Sequence, residues 1–159
     1  MSHRAHVITV SDGVTAGTRT DVSGPALQNI LSVAHFDVSG PEVVPDDEKR
    51  IHAAIVDAVV AGSDLVVTTG GTGLGPRDVT PQATAALIDY EVPGLSELMR
   101  RMGAASTPMA VLSRGVAGVR GQSLVLNVPG SMKGATESLE AVLPVLGHAI
   151  RLLHGDTKH

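Results

Sequence analysis

Short apolar runs alternate along this chain with longer stretches in which apolar residues recur every three or four positions. Val7-Ile8-Thr9-Val10 is nearly uninterrupted and β-branched, which predicts a buried strand. It stops at Ser11-Asp12-Gly13, and a polar loop rich in Gly, Thr and Asp runs on to about Asp21. Ser23 can cap a helix with Pro25 in its first turn, and Leu27, Ile30, Leu31 and Ala34 share one face. Phe36-Asp37-Val38 followed by Val43-Val44 predicts a second, broken strand ending at Pro45. The clearest helical period runs from Asp46 to Ala61, with Ile51, Ala54, Ile55, Ala58 and Val59 in line. Asp46 stands where an N-cap is expected, and Gly62 where a helix stops.

Leu65-Val66-Val67-Thr68-Thr69 predicts another buried strand, which runs into Gly70-Gly71-Thr72-Gly73-Leu74-Gly75-Pro76-Arg77-Asp78. Thr80-Pro81 starts a helix carrying Ala85, Leu87 and Ile88. Leu95, Leu98, Met99 and Met102 mark a helical face after Pro93-Gly94. Ala110-Val111-Leu112 looks strand-like before Ser113-Arg114-Gly115. Ser123 to Val128 is a strong strand, and the pattern from Ser131 to about Leu153 is helical, with Pro144 expected to kink or divide it. Such alternation predicts one α/β domain over residues 1–159, with a largely parallel sheet covered on both faces. Ligands of such sheets bind beyond the carboxyl ends of the strands. Ser11-Asp12-Gly13, Gly70 to Asp78 and Asn127-Val128-Pro129-Gly130-Ser131 all take that position.

Composition narrows the chemistry. The 159 residues include 18 Gly, no Cys, no Trp, one Phe and one Tyr, and the net charge is −4. Absence of Cys excludes disulfides, thiol nucleophiles, zinc–cysteine sites and iron–sulfur clusters. An acidic, aromatic-poor chain is a poor nucleic-acid binder. No apolar run approaches the roughly 18 residues of a membrane span, and no signal-peptide hydrophobic region follows the N-terminus. The expectation is a soluble cytoplasmic protein, with neither nucleic acid nor membrane as partner. Seven histidines show no tight ligand spacing.

The Gly70–Asp78 segment carries the sharpest signal. Four glycines within Gly70–Gly75 let backbone N–H groups approach an anion closely. Thr72 adds a hydroxyl, and the helix from Thr80 adds a positive dipole end. The spacing is neither a P-loop nor a dinucleotide fingerprint, because Pro76 stands where each would need another residue. Asp78 suits Mg²⁺ held against a phosphate, while Arg77 suits anionic oxygens; the plainer reading is a local ion pair or a loop Asp bonding backbone N–H groups, and the adjacent glycine loop favours the functional one. Asp12, at a strand's carboxyl end, is a stronger candidate than Asp21, and either could be a turn residue. Ser113 and Arg114 offer a hydroxyl and a cation to an anionic ligand, and a hairpin turn is the plainer reading. Asn127 to Ser131 could equally be a turn and a helix cap.

In this order, Ser11-Asp12, Pro45-Asp46, Thr68-Thr69-Gly70-Gly71-Thr72-Gly73 with Arg77-Asp78-Val79-Thr80-Pro81, Ser113-Arg114 and Asn127-Val128-Pro129-Gly130-Ser131 resemble the MogA/MoaB family. These are molybdopterin-binding proteins of molybdenum-cofactor biosynthesis, related to the gephyrin G domain. The resemblance spans nearly the whole chain. It implies a three-layer α/β/α sandwich with a mostly parallel central sheet, assembled as a homotrimer. For the MogA-type branch it implies molybdopterin adenylyltransferase activity. A phosphate of molybdopterin attacks the α-phosphate of Mg-ATP, pyrophosphate leaves, and adenylyl-molybdopterin passes to a molybdate-insertion protein.

By the same resemblance, Asp78 and Asp46 are the catalytic, Mg²⁺-associated carboxylates. Thr69, Gly70, Gly71, Thr72 and Gly73 hold phosphates with Arg77. Ser11, Asp12, Asp21, Ser113, Arg114, Asn127, Pro129, Gly130 and Ser131 line the pterin or nucleotide pockets. One basic residue, Arg77, precedes Asp78, where some members carry two. MoaB-type members share most of this pattern, so a binder that does not adenylate is the alternative. Neither Phe36 nor Tyr90 falls on these loops, so ring recognition should rest on backbone N–H groups, Asp and Ser side chains and aliphatic walls.

Overall fold

The computed structural model describes residues 2–158; Met1 and His159, and so the outermost positions of the expected domain, lie outside the described residues. Six strands form one sheet: β1 (Arg4–Val10), β2 (Asp37–Val44), β3 (Leu65–Thr69), β4 (Tyr90–Glu91), β5 (Ala117–Arg120) and β6 (Ser123–Val128). Their spatial order is β2-β1-β3-β6-β5-β4. The first four are mutually parallel, whereas β5 runs antiparallel to both β6 and β4. The helices are α1 (Asp12–Thr15), α2 (Ser23–Val33), α3 (Glu48–Val60), α4 (Thr80–Ala85), α5 (Pro93–Ala104) and α6 (Met132–Leu153), with a 3-10 turn at Pro108–Leu112.

Side chains alternate between the faces of a strand, and this separates two cores. Ala5, Val7, Leu65, Val67, Leu124 and Leu126 face α2, α5 and α6, meeting Leu27, Leu31, Met99, Leu139 and Leu146. Ile8, Val10, Val66 and Val125 face the other way, onto Ile51, Ile55 and Ala83 of α3 and α4. The molecule is therefore a three-layer α/β/α sandwich. Because β3 and β6 are covered on both faces, every one of their residues is buried and the sequence shows no polar alternation there.

The chain leaves β1 through α2 to reach β2, then crosses back over β1 through α3 to reach β3. The direction of winding thus reverses between β1 and β3, the point in an open α/β sheet where a crevice forms.

Several expected elements differ. Ala110-Val111-Leu112 is not a strand but part of the exposed 3-10 turn, which Pro108 starts and Thr107 caps by accepting from Met109 N–H at 3.3 Å. Strands β4 and β5 gave no strand signal in the sequence. Both are short and lie at or beside the sheet edge, and β5 contains Gly118, so neither has an extended β-branched run. Helix α6 is not divided at Pro144, because Pro144 and Glu140, whose carbonyl loses its partner, are both exposed and water can satisfy it.

Helix α3 begins one residue later than expected. Asp47 is the cap, and its Oδ1 accepts from Arg50 N–H at 2.9 Å. Ser23 is likewise not a cap. Val22 holds the N-cap position of α2 without a side-chain bond, and Asp21, one residue before it, accepts at Oδ1 from Gly24 N–H at 3.0 Å.

Candidate active site

Three loops meet at the carboxyl edge of the parallel strands. Gly70 donates to Val128 O at 3.1 Å, and its φ of +103° is one that L side chains rarely adopt. A Cβ at Gly70 would strike Val10 O, and one at Gly130 would stand 3.2 Å from the Gly70 Cα. The ends of β1, β3 and β6 are thus drawn together backbone against backbone, which only glycine permits.

Asp46, released from capping α3, turns to the loop after β1. Its Oδ2 accepts from Asp12 N–H at 2.9 Å, and Asp46 N–H donates to Asp12 Oδ1 at 3.0 Å. Arg77 closes the group with a two-pronged bond to Asp12, Nε to Oδ2 at 3.0 Å and a terminal N–H to Oδ1 at 3.1 Å. The backbone hydrogen bond from Asp46, aided by Arg77, holds the Asp12 carboxyl below the ordinary carboxylate range. Asp46 is shifted the other way, raised chiefly by its burial, with the charges of Asp12 and Asp78 adding to it. The like charge of Asp78 therefore reaches Asp46. Asp78 Oδ2 accepts from Gly75 N–H at 2.9 Å, which folds the loop back over its own acid.

Gly71 lies beside Asp46, with φ +67°. A Cβ there would collide with Thr80 Oγ1 and approach Asp46 Oδ1 to 3.1 Å. Thr80 Oγ1 is the one buried side-chain oxygen or nitrogen without a hydrogen-bond partner among the described residues.

The other sequence-derived candidates divide by what they touch. Thr72, Gly73, Ser113, Asn127, Pro129, Gly130 and Ser131 line a cavity of about 560 Å³, together with Gly71 and Asp78. Ser11, Asp12, Asp21, Asp46, Thr69, Gly70, Arg77 and Arg114 do not line it. Ser11 caps α1 by accepting from Val14 N–H at 3.1 Å, and Asp21 also accepts from Thr9 Oγ1 at 2.8 Å. Thr69 Oγ1 donates to Pro129 O at 2.7 Å, so it sets the turn after β6.

The Arg114 side chain faces the protein. Nε donates to Gly73 O at 2.8 Å, a terminal nitrogen to Asp78 O at 2.7 Å, and Arg114 N–H to Thr72 O at 2.8 Å. It clamps the glycine loop with donors that a phosphate would otherwise take. Asn127, 1% exposed, donates to Thr68 Oγ1 at 2.9 Å and Thr84 Oγ1 at 3.0 Å and accepts from Val116 N–H at 3.0 Å. Its amide is fully engaged in tying β6 to β3, α4 and the start of β5.

Sequence reasoning missed the far wall. The cavity continues to Ser96, Met99, Arg100 and Gly103 of α5, to Thr107, Met109 and Leu112 of the 3-10 turn, and to Lys133, Glu137 and Ser138 of α6. Arg19 also reaches it from the loop after α1. None of these sits in a motif. The only available signal was polar residues, Ser96, Glu137 and Ser138, within or beside otherwise apolar helical faces.

Comparison with known proteins agrees with this architecture. Residues 6–148 match the family model described as "Probable molybdopterin binding domain". The chain is 38% identical over 158 residues to a molybdopterin adenylyltransferase of Helicobacter pylori, covering 94% of this chain and 87% of that one. It is 42% identical over 151 residues to a molybdenum cofactor biosynthesis bifunctional protein of Synechococcus elongatus, covering 95% of this chain and 47% of that protein. The chain thus spans about half the length of that bifunctional relative. The crystal structure of the molybdopterin biosynthesis enzyme MoaB from Thermus thermophilus superposes with a TM-score of 0.90 at 54% identity, covering 97% of this chain and 98% of that one. With its three-layer sandwich and the match of residues 6–148 to that family model, the chain belongs to the MogA/MoaB family of molybdopterin-binding domains.

Proposed function

We propose that this protein is a molybdopterin adenylyltransferase of molybdenum-cofactor biosynthesis. A phosphate oxygen of molybdopterin attacks the α-phosphorus of ATP, the bond to pyrophosphate breaks, and adenylyl-molybdopterin forms. The observation that carries this reading is the glycine loop at the carboxyl edge of the sheet, whose Asp78 borders a cavity that Arg19, Arg100 and Lys133 also line, with Asp46 near enough to feel the Asp78 charge. The relative named molybdopterin adenylyltransferase supports it.

Phosphoryl-type transfer needs positioning and charge stabilisation more than a covalent nucleophile. The close-packed strand ends hold the loop backbone at fixed places, and Arg114 keeps the loop from relaxing away. Asp46 and Asp78 are the residues that would hold Mg²⁺, since a divalent cation beside them would offset the charge that Asp78 adds at Asp46. Among the described residues no group of three or more His, Cys, Asp or Glu is arranged to hold a metal. That suits an ion completed by waters and substrate phosphates, as Mg²⁺ usually is. When bound there, Mg²⁺ would offset negative charge on the phosphates. Arg77, two-thirds exposed and paired with Asp12, is placed to exchange that carboxylate for a phosphate oxygen.

The proposal extends to a cytoplasmic homotrimer that hands its product to a molybdate-insertion protein. Exposed Met102, Met109, Val111 and Leu112 near the cavity supply apolar surface for association, and light scattering tests it. A second reading, a molybdopterin binder that does not adenylate, is favoured by the 54% identity to a MoaB structure. Incubation with molybdopterin, ATP and Mg²⁺, followed by mass detection of the adenylated pterin, separates the two. Adenylation by the native chain, falling on the order of 10²–10³-fold or more in Asp78→Ala with the fold intact, supports the enzyme. Pterin binding without any adenylyl product selects the binder.

A further inference from the structure

The cavity ends between α5 and α6, and its polar groups there are unlike those at the glycine loop. Ser96 and Ser138 are each only 5% exposed and line the cavity, yet neither hydroxyl bonds to protein among the described residues. Glu137 stands beside them. Its Oε1 accepts from Ser106 Oγ at 2.9 Å, and Lys133 Nζ lies 4.0 Å from the same oxygen. No protein hydrogen bond reaches Oε2 among the described residues.

Glu137 lies six residues beyond Ser131, the α6 cap, hence roughly 9 Å along the helix from the strand-end loops. Asp78 and Glu137 are the carboxylates of a cavity whose other charged groups are Arg19, Arg100 and Lys133. Asp78 is explained by the transfer chemistry. A second carboxylate aimed into a site for phosphates would repel them, unless that end receives a part of the ligand that donates hydrogen bonds.

The two rings of the proposed reaction differ in this respect. Adenine presents an amino donor beside the N1 acceptor. A pterin presents its 2-amino group beside N3–H, two adjacent donors spaced like those of a guanidinium, which a carboxylate matches with two oxygens or one oxygen and a water. Met99 and Leu112 line the same cavity, and apolar and thioether surfaces suit the faces of a flat ring where aromatics are lacking.

We propose that Glu137 is the specificity residue for the pterin ring, reading its 2-amino and N3–H edge at the α5–α6 end of the cavity, while the phosphates and the transfer lie at the glycine loop. This rests on the adenylyltransferase reading and divides its site between the two substrates.

The test uses fluorescence titration of the full chain with pterin-6-carboxylate and with lumazine-6-carboxylate, in which an oxo group replaces the 2-amino group. The native protein should bind the pterin at least about tenfold tighter, because the oxo group would face the carboxylate. Glu137→Gln should lose most of that preference, and Glu137→Asp should keep part of it. ATP binding measured without pterin should stay unchanged in both variants. A pterin preference undiminished in Glu137→Gln overturns the assignment and leaves the adenylyltransferase reading standing. If the native chain binds neither the pterins nor molybdopterin, both fall together.

Discussion

The two ends of the cavity are built on opposite principles. At the glycine-loop end, side chains hold one another: Asp12 with Asp46 and Arg77, Arg114 with the loop carbonyls, Asn127 with Thr68 and Thr84. At the α5–α6 end, the hydroxyls of Ser96 and Ser138 and one oxygen of Glu137 have no protein partner among the described residues. The first end is preorganised, with its polar groups spent on geometry and its backbone left to meet the ligand. The second end is cheap to build and open to a ring. Among the residues most visible as motifs, Asp12, Asp46, Arg77 and Arg114 bond to protein off the cavity, while Gly71, Thr72, Gly73 and Asp78 line it beside residues of α5 and α6 that belong to no motif.

This contrast can be broken by substitution, because loop-end changes should alter stability and α5–α6 changes should not. The largest effect is expected for Asn127→Ala, which leaves the half-buried Val116 N–H without its acceptor and opens a void between β6 and α4. A loss of about 2–4 kcal/mol in urea unfolding is expected. Gly71→Ala should follow at about 2–3 kcal/mol, from its positive φ and the collision with Thr80. Adenylation should fall with it, because the same Cβ crowds Asp46.

Asp46→Asn should act in the opposite direction on stability. Burial raises the Asp46 carboxyl above its unfolded value, so the native state binds the proton more readily and the ionised group weakens the fold. The variant should therefore melt higher than the native chain at neutral pH. That advantage should shrink as pH falls through the raised value and vanish below about 3.8, where both states are protonated. Thermal melts across this window check it, and equal melting at pH 7 would contradict the account. Activity should drop although stability rises, a pattern expected of a strained functional acid. Smallest of all, Ser138→Ala should shift stability by no more than about 0.5 kcal/mol while weakening pterin binding.

Most of the fold was legible in the chain. Buried parallel strands such as Val7–Val10, Leu65–Thr69 and Ser123–Val128 are dense β-branched and aliphatic runs, because both their faces must be covered. Strands β4 and β5 were illegible for the converse reason, since β5 is placed by pairing with β6, and β4 by pairing with β5, rather than by their own composition. At the site, Gly71 and Asp78 were legible as a glycine loop with its acid. That Asp46 faces the loop while Asp47 caps α3 could not be told from two adjacent aspartates, because the choice depends on where β2 ends relative to β1.

By itself the sequence determined the layer architecture, the three strand-end loops and the family, since periodicity, glycine placement and motif order are local properties. It also required a ligand pocket almost without aromatics, which the structure meets with Met99, Leu112 and polar groups, Phe36 and Tyr90 being outside the cavity. Only the tertiary structure decided which polar residues are spent on the protein and which remain for a ligand. Arg114 and Asn127 looked like ligand groups and are clamps, whereas Glu137 and Ser138 looked like ordinary helix residues and line the cavity. The physical reason is that a hydrogen-bonding group serves whichever partner lies within about 3 Å, and in this chain those partners come from segments far apart in sequence.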